Sequence, residues 1–146
     1  MRAVVQRAAW ARVSVAGEVV GSLKGPGFVV LLGVRASDGE DQARAIAAKL
    51  WTLRIMKDDD GRMNRSLADV GGGLLVISQF TLYADASRGR RPSFDAAAPG
   101  VVAEPLVDRV VEHLRALGAD VATGRFGAEM LVELANDGPV TLIIEV

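Results

Sequence analysis

Cysteine is missing from this chain altogether, and histidine occurs once, as His113. Disulfide scaffolds, thiolate-ligated zinc, iron–sulfur clusters and thiol catalysis are excluded with the first. A His-rich metal site is excluded with the second, and a Ser-His-Asp triad has only His113 to draw on. No apolar run approaches the roughly 20 residues a membrane-spanning helix needs. The opening Met1-Arg2-Ala3-Val4-Val5-Gln6-Arg7 lacks the apolar core and cleavage site of a signal peptide, so the expected location is cytoplasmic. A charge excess is missing too: 17 Lys and Arg against 18 Asp and Glu leave a net charge of -1. Non-specific nucleic-acid binders are usually strongly basic, so contact with a polyanion would need a local patch.

What is present reads as one globular domain, residues 1–146, with half its residues hydrophobic. Arg2 to Arg7 and Trp10 to Ala16 read as strands, and Gly17-Glu18 as a hairpin turn. Phe28 to Val34 has the unbroken apolar run of a strand buried on both faces. Ser37-Asp38-Gly39-Glu40 has the capping-box pattern, with Ser37 as N-cap, and predicts a helix over about 38–53. Arg54-Ile55-Met56 predicts a short strand, and Leu74 to Tyr83 is the most strand-like run. Ala84 to Glu104 has no period. Leu106, Val107, Val110, Val111, Leu114 and Leu117 form a second helical stripe, stopped by Gly118. Asp120 to Thr123, Ala128 to Ala135 and Val140 to Val146 read as strands, the last two joined by a turn at Asn136-Asp137-Gly138-Pro139. This pattern predicts α+β: a small, barrel-like, mostly antiparallel curved sheet with two amphipathic helices packed on it. The apolar last strand has few edge protections and predicts a homodimer.

Three stretches carry candidate chemistry. Ser78-Gln79-Phe80-Thr81 brings polar residues onto an apolar strand, where unpaired polar groups cost about 1–3 kcal/mol each. It is either a strand emerging into solvent or the polar floor of a pocket. Asn136-Asp137-Gly138-Pro139-Val140-Thr141 is either a plain hairpin turn or, with a cis Gly-Pro peptide, a rigid pair of carbonyl acceptors. Arg88-Gly89-Arg90-Arg91-Pro92 is either a solvated charge run or a phosphate-binding loop. Other motifs fail. Asp58-Asp59-Asp60-Gly61 lacks the spacing of a calcium loop, and Gly71-Gly72-Gly73 precedes a strand instead of opening a helix. His113 sits beside the apolar stripe of its helix, which suits packing or surface. The inventory holds no metal, cofactor or triad, which is odd for a hydrolase of stable bonds but would suffice for an activated ester.

The run Ser78-Gln79-Phe80-Thr81 resembles the S-Q-x-T signature of D-aminoacyl-tRNA deacylases, and Asn136-Asp137-Gly138-Pro139-Val140-Thr141 resembles their N-x-G-P-x-T signature. Matches at Met1 to Arg7, Gly61 to Asn64, Arg91 to Phe94 and Thr123 to Met130 extend the resemblance along the chain. Glu129 and Ser87-Arg88 depart from the usual pattern. The resemblance implies a cytoplasmic homodimer without metal or cofactor. Its expected reaction is hydrolysis of the ester of D-aminoacyl-tRNA, with glycyl-tRNA mischarged on tRNA(Ala) as a second substrate. It implies a catalytic site at Ser78, Gln79, Phe80 and Thr81, with backbone N–H groups near Phe80 and Thr81 facing the scissile carbonyl. Asn136, Gly138, Pro139 and Thr141 would select chirality within the partner subunit, through a Gly-cisPro wedge. RNA would bind at Arg88, Arg90 and Arg91. The ribose 2′-hydroxyl is expected to assist. Thr81 has no evident base, so positioned water is favoured over an acyl-threonine. Two other readings are a non-catalytic RNA-binding dimer module and a deacylase of related fold acting on L-alanyl-tRNA.

Overall fold

The computed structural model describes residues 1–87 and 89–146. Arg2 and Val15 bound one 14-residue strand, β1 (Arg2–Val15), where hydrophobicity predicted two segments. The gap arises from small residues: Ala8 and Ala11 face the core, while Ala9 and Trp10 are turned out at an irregularity in the pairing. Ala16 and Gly17, both at positive φ, make the two-residue turn into β2 (Glu18–Ser22). β3 (Gly27–Gly33) pairs antiparallel with β1 and parallel with β6 (Gly73–Ser78), which in turn pairs parallel with β7 (Val121–Thr123). The sheet order is β2-β1-β3-β6-β7, with β8 (Leu131–Glu145) on β1. It is thus a mixed sheet, antiparallel around β1 and parallel beyond β3. It curls until β2 approaches β7, where a Cβ on Gly21 would lie 2.4 Å from the Thr123 carbonyl oxygen.

Among the described residues three helices, not two, accompany the sheet. α1 (Glu40–Thr52) and α3 (Gly100–Ala116) pack on one face over Ala3, Val5, Phe28, Val30 and Leu32. The other face encloses Ala11, Val13, Val29, Leu75 and Ile77 within the curl. α2 (Leu67–Val70) is a single turn whose Ser66 and Asp69 cap each other reciprocally, with Gly71 in the left-handed conformation after it. A four-residue helix leaves no periodicity to read. No helix among the described residues is long and apolar enough to cross a membrane.

The α1 cap differs from the expectation. Gly39, not Ser37, is the N-cap, and the Gln42 side chain accepts its N–H at 3.0 Å. Asp38 is occupied elsewhere: it accepts the Arg35 N–H at 2.9 Å and the Met1 ammonium at 2.7 Å, closing a buried turn that delays the helix. Glu40 is thereby freed to reach α3. The predicted strand at 54–56 moves to β4 (Met56–Lys57), paired with β5 (Met63–Arg65) across the Asp58 turn. α3 starts six residues before its apolar stripe, because Val101 and Val102 point outward and disguise the period.

Two corrections bear on the site. β6 ends at Ser78, and Phe80–Tyr83 form a 3₁₀ turn instead of continuing the strand. β3 ends at Gly33, so the Gln79 N–H takes the Leu32 carbonyl at 2.8 Å and little ladder remains beyond it. Residues 136–141 are not a hairpin turn. Both flanks pair with the same strand β1, Asn136 opposite Ala8 and Thr141 opposite Gln6, so five steps of β8 face two of β1. The segment is a wide bulge that the chain passes through without reversing.

Candidate functional site

The parallel strands β3, β6 and β7 end on one side, and a cavity of about 580 Å³ opens there. Ligands in open parallel sheets gather at such carboxyl ends. Ser78 and Gln79 line its floor, where β6 gives way to the 3₁₀ turn, and Phe80 stands at its rim. The start of α3 at Gly100 and Ala103 makes one wall, and Phe126, Gly127, Ala128 and Met130 another. Phe80 and Phe94 meet edge to face at the mouth, ring centroids 5.1 Å apart. Phe80 is largely exposed despite its apolar ring. Ser78 and Gln79 thus lie in the lining of a mostly apolar cavity, while Phe80 and Thr81 emerge into solvent.

Thr81 lies beside the cavity and not in its lining. Its hydroxyl pairs with the Gln79 amide, which is not a base. The first N–H groups of a helical turn have no acceptor within it, and here they belong to Phe80 and Thr81. The first bond the turn makes on itself is Leu82 N–H to the Gln79 carbonyl, at 3.3 Å.

Asn136, Gly138, Pro139 and Thr141 do not line this cavity. Gly138 and Pro139 are exposed at the tip of the bulge, and the peptide between them is cis. The root is anchored. The Asn136 amide donates to the Thr141 hydroxyl at 3.0 Å and its carbonyl accepts the Val140 N–H at 3.2 Å. Arg7, almost fully buried, donates to the Asp137 carbonyl at 3.2 Å and to the Ile55 carbonyl at 2.6 Å. The Asp137 carboxylate takes Lys57 at 3.1 Å and Arg7 at 3.1 Å. Lys57 first, helped by Arg7, holds that carboxyl below its ordinary range against the opposing effect of desolvation.

Arg90 and Arg91 are exposed on a loop closed by the paired Asp85 and Ser93 backbones, 2.9 Å in each direction. Arg88 lies outside the described residues. His113 contacts Glu40 at 2.7 Å between α1 and α3, far from either signature in its bonding. Sequence reading missed Arg7 and Lys57 as anchors, and Phe94 and Phe126 as walls. The only signal for Arg7 was a charge ending an apolar strand.

Comparison with known proteins narrows the class in two steps. A solved structure described as a probable eukaryotic D-amino acid tRNA deacylase superposes with a TM-score of 0.86 over 99% of this chain and 98% of that one, at 18% identity. That likeness defines the α+β fold. One described as c-Myc DNA Unwinding Element Binding Protein superposes at 0.92, with 36% identity over 100% of this chain and 99% of that one. In sequence, the D-aminoacyl-tRNA deacylases of Thermobifida fusca and Streptomyces coelicolor are 59% and 58% identical, each over the whole of both chains. The family model for D-Tyr-tRNA(Tyr) deacylase matches residues 4–145. The chain belongs to that family of enzymes.

Proposed function

We propose that the chain hydrolyses the ester joining a D-amino acid to the terminal ribose of tRNA. The observation that carries this reading is the polar pair Ser78 and Gln79 lining the cavity at the parallel strand ends, in a chain of this family. Water adds to the ester carbonyl, the acyl–oxygen bond breaks, and the water proton passes to the departing ribose oxygen. The products are the free D-amino acid and tRNA. The Phe80 and Thr81 N–H groups face the developing oxyanion, the role in which oriented donors lower an acyl-transfer barrier most. The ribose 2′-hydroxyl helps to orient the water. Thr81 positions the substrate through its pairing with Gln79 and forms no ester.

Chirality is selected by exclusion. One pocket cannot fit every D side chain, but a rigid backbone wedge can hold the shared α-ammonium and leave the side chain outside. Gly138 and Pro139 supply that wedge: glycine allows close approach, and proline fixes φ and removes an N–H. Their exposure at the tip of an anchored bulge, away from their own cavity, supports insertion into the partner subunit of a homodimer. An L side chain would strike the wedge. Glycine would pass, so glycyl-tRNA(Ala) is a second substrate. Arg90 and Arg91 meet tRNA phosphates, and the substrate sets the cytoplasm as the place of action.

The test is hydrolysis of D-tyrosyl-, L-tyrosyl- and glycyl-tRNA by the purified chain. Cleavage of the first and third with L-tyrosyl-tRNA spared is the expected result. Equal cleavage of both tyrosyl esters would overturn the wedge. Binding without cleavage of any would favour a nucleic-acid-binding module, the sense of the c-Myc element relative's description.

A further inference from the structure

Resting on the deacylase reading above, we infer that Arg2 is a positioning residue that clamps the Phe80–Tyr83 turn, and with it the cavity floor, through the Leu82 carbonyl and the Tyr83 ring. A four-residue turn makes only short-range bonds of its own. A 3₁₀ turn has poor hydrogen-bond geometry, and the Leu82 N–H reaches the Gln79 carbonyl only at 3.3 Å. Where the chain leaves the turn, the Ala84 N–H takes the Thr81 carbonyl at 3.0 Å. External contacts supply the remainder. From the start of β1, Arg2 Nη1 donates to the Leu82 carbonyl at 2.7 Å. Carbonyls at the end of a helical turn lack intrahelical donors and carry partial negative charge, so a cation suits them. The guanidinium also lies over the Tyr83 ring, 5.0 Å from its centroid, and pairs with Glu145 at the end of β8.

The underside of the same turn rests on β3 at Gly33. A Cβ there would come within 3.1 Å of both Leu82 Cβ and the Gln79 carbonyl oxygen, and 3.2 Å from Tyr83 Cε2. The turn is seated below on a bare backbone and gripped at its C-terminal end by Arg2, while Gln79 and Phe80 at its other end line the cavity. Only a planar fork can serve carbonyl, ring and carboxylate together, so lysine would replace it in part.

Tyr83 is the sole tyrosine, so tyrosinate absorbance reports on this contact alone. Burial raises its phenol and Asp38 adds to this, Arg35 and Arg2 oppose, and Glu145 adds a little more. Removing Arg2 should move the titration midpoint up, and Glu145→Gln should move it down.

The experiment measures both readouts on the full chain: D-tyrosyl-tRNA hydrolysis and tyrosinate titration. Arg2→Met is expected to lower kcat about fivefold with KM within about twofold, the scale of one lost positioning bond. Arg2→Lys should recover part of kcat and of the midpoint, and it keeps the test open if Arg2→Met folds poorly. Glu145→Gln, which loosens only the strand-end pair, should leave kcat near wild type. Wild-type kcat in Arg2→Met, an equal loss in Glu145→Gln, or an unmoved midpoint in Arg2→Met would each overturn the clamp. If the wild-type chain spares D-tyrosyl-tRNA, the deacylase reading fails, and the midpoint alone still decides whether Arg2 grips Tyr83.

Discussion

Thr81 tempts as a nucleophile, since a threonine beside a polar cavity suggests acyl transfer. Its hydroxyl, however, pairs with an amide, and the single histidine is bonded to Glu40 between α1 and α3. A threonine without a base is a poor nucleophile at neutral pH. Thr81→Ala should therefore keep measurable hydrolysis, and mass spectrometry during turnover should find no aminoacyl adduct on the wild-type chain. A trapped D-aminoacyl-threonine would reverse the assignment. Gly138 is constrained more tightly. Its φ of +128° is open to glycine alone, and an added Cβ would lie 2.7 Å from Val140 Cγ2 and 2.9 Å from the Val140 nitrogen. Gly138→Ala should cost ~1–3 kcal/mol in urea unfolding, and should slow cleavage of D-aminoacyl- and glycyl-tRNA alike. Loss of D-tyrosyl-tRNA cleavage with glycyl-tRNA cleavage intact would count against a backbone wedge.

At the scale of elements, α1 and α3 are joined on their solvent side by Glu40. Its carboxylate accepts Arg109 at 2.9 Å and lies 2.7 Å from His113. The bond from Arg109, and then that from His113, bring its pKa down from 4.5 to about 2. A carboxyl lowered by folding stabilises the fold above its unfolded pKa, and that contribution disappears as pH falls through the folded value. Wild type should thus be more stable than Glu40→Gln at pH 7, with the difference shrinking from about pH 4.5 and gone near pH 2. Thermal unfolding of both proteins across that range measures it. A difference independent of pH would mean that Glu40 acts by packing and not by charge. The same pair of helices shows why sequence capping rules misplaced the α1 start. Ser37 and Glu40 satisfied the pattern, but Asp38 was claimed by the Met1 ammonium 37 residues away.

For the whole molecule, the outer side of β8 is the consequential surface. Leu131 and Ile143 are 63% and 70% exposed along a 15-residue strand that the sheet pairs only with β1 among the described residues. An apolar edge of that length invites a second copy. Light scattering at micromolar concentration should give a dimer, and a fully active monomer would remove the partner-inserted wedge. The net charge of -1 makes the tRNA footprint local. Each lost phosphate contact should reduce the slope of log affinity against log salt by roughly one, so Arg90→Ala with Arg91→Ala should flatten it by up to about two. An unchanged slope would move the footprint to other cations.

The amino-acid sequence alone determined the fold class, the burial of β3 and the stripes of α1 and α3, because these rest on side-chain periodicity along one segment. It also marked both signatures, since polar residues on an apolar strand and a Gly-Pro in a strand-rich region are local anomalies. Tertiary structure decided the rest. Whether β6 continued past Ser78 depended on where β3 stopped, and whether 136–141 reversed the chain depended on which strand paired with its two flanks. Arg7 and Lys57 became anchors of the bulge only because β1 and β4 lie beside β8 at Asp137. Contacts between residues 80 and 130 positions apart leave no trace in local pattern, because pairing partners are chosen by the folded sheet and not by neighbours in the chain.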